Sequence, residues 1–116
     1  MRFKQDFSFE QRREEAYRVI NKYPDRVPII CEKSTTASKD CPDIDKKKYL
    51  VPRDLTMGQF LYVVRKRLRL APEKAIFLFV GNSIAPSTSS INDIYNYNQD
   101  ADGFLYITYG LENVFG

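Results

Sequence analysis

The 116-residue sequence predicts one α+β domain, a sheet covered by a helix, with further helices at the N-terminus. Three observations carry this prediction. After residue 26, stretches of strand character alternate with stretches of helical period. The stretches 75–80 and 103–109 are apolar on both faces, as strands covered on both sides are. A third stretch, Asp45-Lys46-Lys47-Lys48-Tyr49-Leu50-Val51-Pro52, starts in lysines and stops at proline, residues that keep an open sheet edge from pairing at random. Such an edge still carries free N–H and C=O groups, so a partner peptide can add to it as a strand, chosen by neighbouring pockets. Protection against aggregation accounts for the same residues on its own.

Residues 1–8 mix aromatic and charged side chains, and Phe3 and Phe7 share a face if the segment is helical. From Ser8 to about residue 22, Phe9, Ala16, Val19, Ile20 and Tyr23 form an amphipathic stripe. Arg12, Arg13, Glu14 and Arg18 occupy the opposite face. Tyr23-Pro24 ends this helix, because the residue before proline is pushed out of the helical region. Residues 27–33 read as a strand, 34–44 as a polar loop, and 46–51 as the edge strand paired with the first. Thr56 and Gln59 form a capping box for a helix over 56–68, with Leu55 and Phe60 as its hydrophobic staple. Its buried stripe is Met57, Phe60, Leu61, Val64 and Leu68. Arg65, Lys66, Arg67 and Arg69 gather at its C-terminal end, where cations suit the helix dipole. Gly81-Asn82 turns the chain after strand 75–80. Ser90 and Asp93 cap a short helix with Ile91, Ile94 and Tyr95 inward. In the last strand, Phe104 and Tyr106 point one way and Leu105, Ile107 and Tyr109 the other.

The order after residue 26 is ββαβ(α)β, that of a ubiquitin-like β-grasp with two additional N-terminal helices. One helix covers one sheet face, and the N-terminal helices cover the other. The expected division is residues 1–24 as a helical subdomain and 25–116 as the β-grasp core with its tail, in one compact unit.

Composition narrows the chemistry. The sequence has no histidine, which removes Ser-His-Asp and Cys-His nucleophile systems and histidine-ligated metals. Neither Cys31 nor Cys41 sits in a CxxC motif. Both are expected reduced, Cys31 as a small core residue and Cys41 as an exposed loop thiol. No glycine-rich phosphate loop is present. The formal charge of +3 is mild for a dedicated nucleic-acid binder. No apolar run is long enough to span a bilayer. A cytoplasmic protein is expected, without enzymatic activity, cofactor or metal.

Tyr23-Pro24-Asp25-Arg26-Val27-Pro28, Asp45 to Pro52, Asp54-Leu55-Thr56 with Gly58-Gln59-Phe60, Arg65-Lys66-Arg67 and Phe104-Leu105-Tyr106-Ile107 resemble the GABARAP-type ubiquitin-like autophagy modifiers. The resemblance runs nearly end to end. It implies activation of a C-terminal glycine, here Gly116, by ubiquitin-type activating and conjugating enzymes. It further implies attachment to the headgroup amine of phosphatidylethanolamine on autophagosomal membranes, and release by a cysteine protease. Glycine suits this step because it lacks the Cβ that obstructs a narrow enzyme channel. The resemblance also implies a site for peptides of aromatic-x-x-aliphatic form in autophagy receptors. The aromatic pocket is expected from Glu15, Val19, Pro28, Ile30, Lys48, Leu50 and Phe104. The aliphatic pocket is expected from Tyr49, Val51, Pro52, Leu55, Phe60, Val63 and Val64. Arg26, Lys46, Lys48 and Arg67 would meet acidic residues flanking the motif. Phe77 and Phe79 match positions used toward processing and conjugating enzymes, and alternation alone admits a core role as well.

Phe7-Ser8 stands where the family usually has proline before the aromatic residue, and loop 34–44 is longer and richer in Ser and Thr. Two other readings stand beside this one. One is a non-covalent adaptor in vesicle or microtubule-linked transport. The other is a nucleic-acid binder built on Lys46, Lys47, Lys48 and the 65–69 cluster, although no recognised reader motif is present.

Overall fold

A computed structural model describes residues 1–111 of the chain. Two helices, α1 (Arg2–Asp6) and α2 (Phe9–Lys22), precede β1 (Arg26–Lys33) and β2 (Lys48–Pro52). Helix α3 (Met57–Leu68), β3 (Phe77–Val80), β4 (Ser83–Ile84), α4 (Ile91–Asn98) and β5 (Leu105–Gly110) follow. The strands form one mixed sheet in the order β2-β1-β5-β3-β4. Strands β1 and β5 run parallel at its centre, and the remaining pairs are antiparallel. The edge strand predicted near 46–51 is therefore an edge.

Both long helices start as their sequences dictate. Ser8 and Thr56 each accept the N3 backbone N–H, and Gln11 and Gln59 return the bond to the cap residue's own N–H. Helix α3 buries Met57, Phe60, Val64 and Leu68 against one sheet face, with Ile29, Tyr49, Val51, Leu78, Leu105, Ile107 and Tyr109 in the same core. The other face carries a smaller cluster: Phe3, Ala16, Ile30 and Phe104, with Ile20 and Tyr106 partly buried beside it. Phe104 and Leu105 thus fall on opposite faces, as alternation requires.

Several expectations need correction. Strand β4 was absent from the predicted order, because two exposed residues carry no hydrophobic alternation. Strand β3 begins at Phe77 rather than 75. The last strand begins at Leu105 rather than 103, because Gly103 sits at φ +95 and closes a turn onto the carbonyl of Asp100. On α2 only Ala16 is fully buried, while Phe9 and Tyr23 are exposed. The contact is narrow because a small residue faces the sheet there: a Cβ added to Gly103 would stand 3.1 Å from that of Ala16.

Arg12 does not belong to the solvent face. Its Nη1 lies 2.6 Å from Oδ2 of Asp102, a fully buried carboxylate that also accepts the Tyr106 hydroxyl and the Phe104 N–H. Cys41 is buried, not exposed. Loop 34–44 folds inward, placing Cys41 and Ile44 in the larger core, and its Pro42 carbonyl accepts the Tyr109 hydroxyl at 2.8 Å.

Candidate functional site

The ladder between β1 and β2 decides which backbone groups the edge offers. Ile29 faces Tyr49, Val27 faces Val51, and the Cys31 N–H donates to the Lys47 carbonyl at 2.8 Å. Hydrogen-bonded and non-bonded pairs alternate in an antiparallel ladder. Tyr49 and Val51 therefore spend their backbone groups on β1, and Lys48 and Leu50 turn theirs outward. Pro52 ends the row without a donor. One outward group is already used, since Arg26 Nη1 donates to the Leu50 carbonyl at 3.3 Å.

Side chains alternate along the same strand. Lys48 and Leu50 face the N-terminal helices, paired across the ladder with Ile30 and Pro28. Ile30 and Phe104 form a closed floor, and Pro28 is buried beside them. Leu50 and Val19 are half-buried, and Glu15 lies one turn before Val19 on α2. The Lys48 ammonium closes this side, 2.8 Å from Glu15 Oε2 and 5.4 and 5.8 Å from the ring centroids of Phe3 and Phe7. Every residue predicted for the aromatic pocket lies on or beside this face.

Tyr49 and Val51 face α3. The Tyr49 ring meets Phe60 edge-on at 5.4 Å, and Phe60 and Val64 are fully buried. Leu55 is half-buried, while Pro52 and Val63 are exposed and form a rim. At the other end of this face Arg67 Nε lies 2.9 Å from Asp45 Oδ1, and the Lys46 ammonium stands 5.0 Å over the Tyr49 ring. Burial pushes the Tyr49 phenol up to about 12.

The four predicted cations are thus engaged within the chain: Arg26 on a carbonyl, Lys48 on Glu15, Arg67 on Asp45 and Lys46 on an aromatic face. Phe3, Phe7 and Asp45 take part here although they lie outside the predicted set. The i, i+4 spacing of the two phenylalanines was the available signal for them. No local pattern joins Asp45 to Arg67. Phe77 is half-buried, whereas Phe79 is buried at 1% exposure. Both stand opposite β5 residues, Gly110 and Thr108, at the far side of the sheet from β2. A separate cleft of about 850 Å³ lies between α1, the 34–36 turn and the β3–β4 turn, away from both pockets. Gly116, the predicted point of conjugation, lies outside the described residues.

Comparison with known proteins gives a consistent result. The family model described as "Autophagy protein Atg8 ubiquitin like" matches residues 11–116. The chain is similar to "Autophagy-related protein 8B" of Oryza sativa subsp. indica, 58% identical over 114 residues covering 98% of this chain and 94% of that protein. It is 56% identical to "Autophagy-related protein 8" of Schizosaccharomyces pombe, over 98% of this chain and 93% of that one. Among solved structures, that titled "Crystal Structure of Trypanosoma brucei ATG8" superposes with a TM-score of 0.89 at 43% identity, covering 95% of this chain and 93% of that chain. The ubiquitin-like sheet, the two N-terminal helices and these end-to-end matches lead to one conclusion: the chain belongs to the Atg8 family of ubiquitin-like autophagy proteins.

Proposed function

We infer that the chain works as a ubiquitin-like autophagy modifier of the GABARAP type, joined through Gly116 to phosphatidylethanolamine and recruiting receptors through its β2 edge. Membership of the Atg8 family carries the modifier role and the lipid conjugation. One observation carries the peptide site. The outward backbone groups of Lys48 and Leu50 run between two side-chain environments of different character. On one side a large apolar floor lies under a movable lysine. On the other, Val51, Phe60 and Val64 are closed into the core, and half-buried Leu55 with exposed Val63 stands at its rim, where an aliphatic side chain would seat. A strand added there presents its first and fourth residues to opposite faces, which fits an aromatic-x-x-aliphatic peptide. Backbone pairing alone accepts almost any extended peptide, so the pockets supply the discrimination.

In this role the chain has no catalysis of its own. It is handled by ubiquitin-type activating and conjugating enzymes and a deconjugating cysteine protease. It resides in the cytoplasm until conjugation places it on autophagosomal membranes. Phe77, with accessible surface, is the better placed of the two β3 phenylalanines for direct enzyme contact.

The test is a calorimetric titration of one aromatic-x-x-aliphatic peptide into wild type, Leu50→Ala and Tyr49→Ala, with circular dichroism to confirm folding. Each buried anchor is worth roughly 1.5–3 kcal/mol before ordering costs, so each variant should bind about tenfold more weakly or worse. Folded variants that bind as wild type does would remove the edge site. Conjugation is tested separately: Gly116→Ala should abolish attachment to phosphatidylethanolamine liposomes in the presence of the family's enzymes and ATP. Attachment at the normal rate would remove Gly116 from that role.

A further inference from the structure

Among the described residues, the Tyr49 hydroxyl is the one buried side-chain polar atom without a hydrogen-bond partner. A buried hydroxyl left unpaired carries a desolvation penalty, so its presence calls for an explanation. The ring is held edge-on by Phe60, which limits where the hydroxyl can turn. Its charged neighbours are the Lys46 ammonium, 5.0 Å over the ring, and the two halves of an ion pair, Arg67 and Asp45. The members of the pair act on the phenol in opposite directions, Arg67 favouring the ionised form and Asp45 opposing it. That pair is itself exposed, with side-chain exposures of 44% and 71%. An exposed pair exchanges partners at little cost.

The peptide geometry supplies the exchange. In a strand added to β2, an aliphatic fourth residue facing α3 puts the first spacer residue on that same face, two positions earlier. With the strand running parallel to β2 and its aliphatic residue beside Val51, the first spacer falls toward Tyr49, at the end of the face where Arg67 and Lys46 stand.

We propose that Asp45 is a specificity-determining residue, an internal stand-in for a ligand acid, and that the Tyr49 hydroxyl is its partner in the bound state. A carboxylate at the first spacer position draws Arg67 away from Asp45. The released Asp45 carboxylate then accepts the Tyr49 O–H. Replacing one carboxylate by another on Arg67 would by itself be nearly neutral. Here the exchange also gives the orphan hydroxyl a partner, so it favours an acidic spacer over a neutral one of the same shape. The proposal rests on the edge-strand reading of the site.

The test uses two synthetic peptides that differ only at the first spacer, glutamate in one and glutamine in the other. Both are titrated into wild type, Tyr49→Phe, Asp45→Asn and the double variant, and the unfolding midpoint of each protein is measured. Wild type should prefer the glutamate peptide by about tenfold, the size of one charge-assisted hydrogen bond. In Tyr49→Phe that preference should fall about threefold or more, while the unfolding midpoint stays level or rises. A merely structural role of the hydroxyl would instead lower the midpoint and leave the preference alone. With Asn at position 45, Tyr49→Phe should have no further effect on the preference, because the carboxylate that receives the hydroxyl is gone. An unchanged preference in Tyr49→Phe would overturn the proposal while leaving the edge site standing, the result expected if water satisfies the hydroxyl in the free protein. Failure of both peptides to bind wild type would overturn both readings together.

Discussion

The two faces of the sheet are held by different physics. Under α3 the contact is shape: Met57, Phe60 and Val64 lie buried among Ile29, Leu105 and Ile107, and the charged groups stay at the margin. Under α1 and α2 the apolar cluster is small, and charge does much of the fastening. Arg12 meets the buried Asp102, Lys4 meets Asp100, Lys48 meets Glu15, and the Phe3 N–H points at both oxygens of Glu32 at 3.2 and 3.3 Å. Dispersion and burial tolerate salt and pH. Directional polar contacts respond to both and fail abruptly when one partner is lost. The helical layer that walls the proposed aromatic pocket is therefore the more conditional of the two.

The largest expected effects come from matched cuts on the two faces. Phe60→Ala should cost about 3–5 kcal/mol through cavity formation. Asp102→Ala should cost a similar ~3–5 kcal/mol, because it strands a guanidinium with only 10% of its side chain exposed. Urea denaturation gives the totals, and hydrogen exchange separates the faces. Asp102→Ala should strip protection from α2 first, whereas Phe60→Ala should lower protection throughout. A double change of Arg12 to Met and Asp102 to Leu should recover most of the loss, since the pair is costly to break and cheap to replace.

A steric cut comes next. Gly103→Ala forces a side chain onto a residue at φ +95 and aims its Cβ at Ala16, 3.1 Å away. The strain is worth about 1–3 kcal/mol. It should appear as a lower unfolding midpoint with early exchange in α2, and not in α3.

The capping boxes allow a finer comparison. Ser8→Ala and Thr56→Ala should each cost about 1 kcal/mol. Equal losses in urea with unequal local exchange would support the contrast between faces. The smallest effect is the response to acid. Burial pushes the Asp100 carboxyl up, but Lys4 and the Asp102 N–H outweigh it and hold the group below its ordinary 3.8. A lowered native value stabilises the fold above that ordinary value, and the benefit drains away as pH falls through the lowered one. The pair is partly exposed, so about 1 kcal/mol at most is involved. Acidification below pH 4 should release α1 in NMR spectra before the α3 core responds.

These contrasts also mark how much was legible in the sequence. Local chemistry was: Thr56 with Gln59 wrote the start of α3, and the alternation of Lys48, Tyr49, Leu50 and Val51 sorted the pocket residues onto two faces. Ser8 with Gln11 carries the same signal, a second capping box that the sequence reading passed over and the structure shows. What could not be read locally was partnership across the chain. Arg12 looks like any solvent-face arginine until the fold brings Asp102 beneath it, 90 residues later. Cys41 looked like a loop thiol because its neighbours are polar, yet Cys41 and Ile44 are drawn into the core, with Ala37 packed against it. Strand β4 had no pattern to find. The internal pairing of the cations was invisible for the same reason as Arg12: charge gives a residue's needs and not its partner.

The inward fold of loop 34–44 gives the molecule two built-in clocks. Burial pushes the Cys31 thiol up to about 12 and raises that of Cys41 as well, so neither offers an alkylating reagent much thiolate while native. Cys31 sits in a central strand and Cys41 in a loop pinned at its Pro42 and Cys41 carbonyls. Labelling of Cys31 must wait for the whole sheet to open. Labelling of Cys41 needs only that the loop lift, a smaller excursion. The ratio of the two labelling rates, followed by mass spectrometry on the unmutated chain, would time local breathing against global unfolding in one tube.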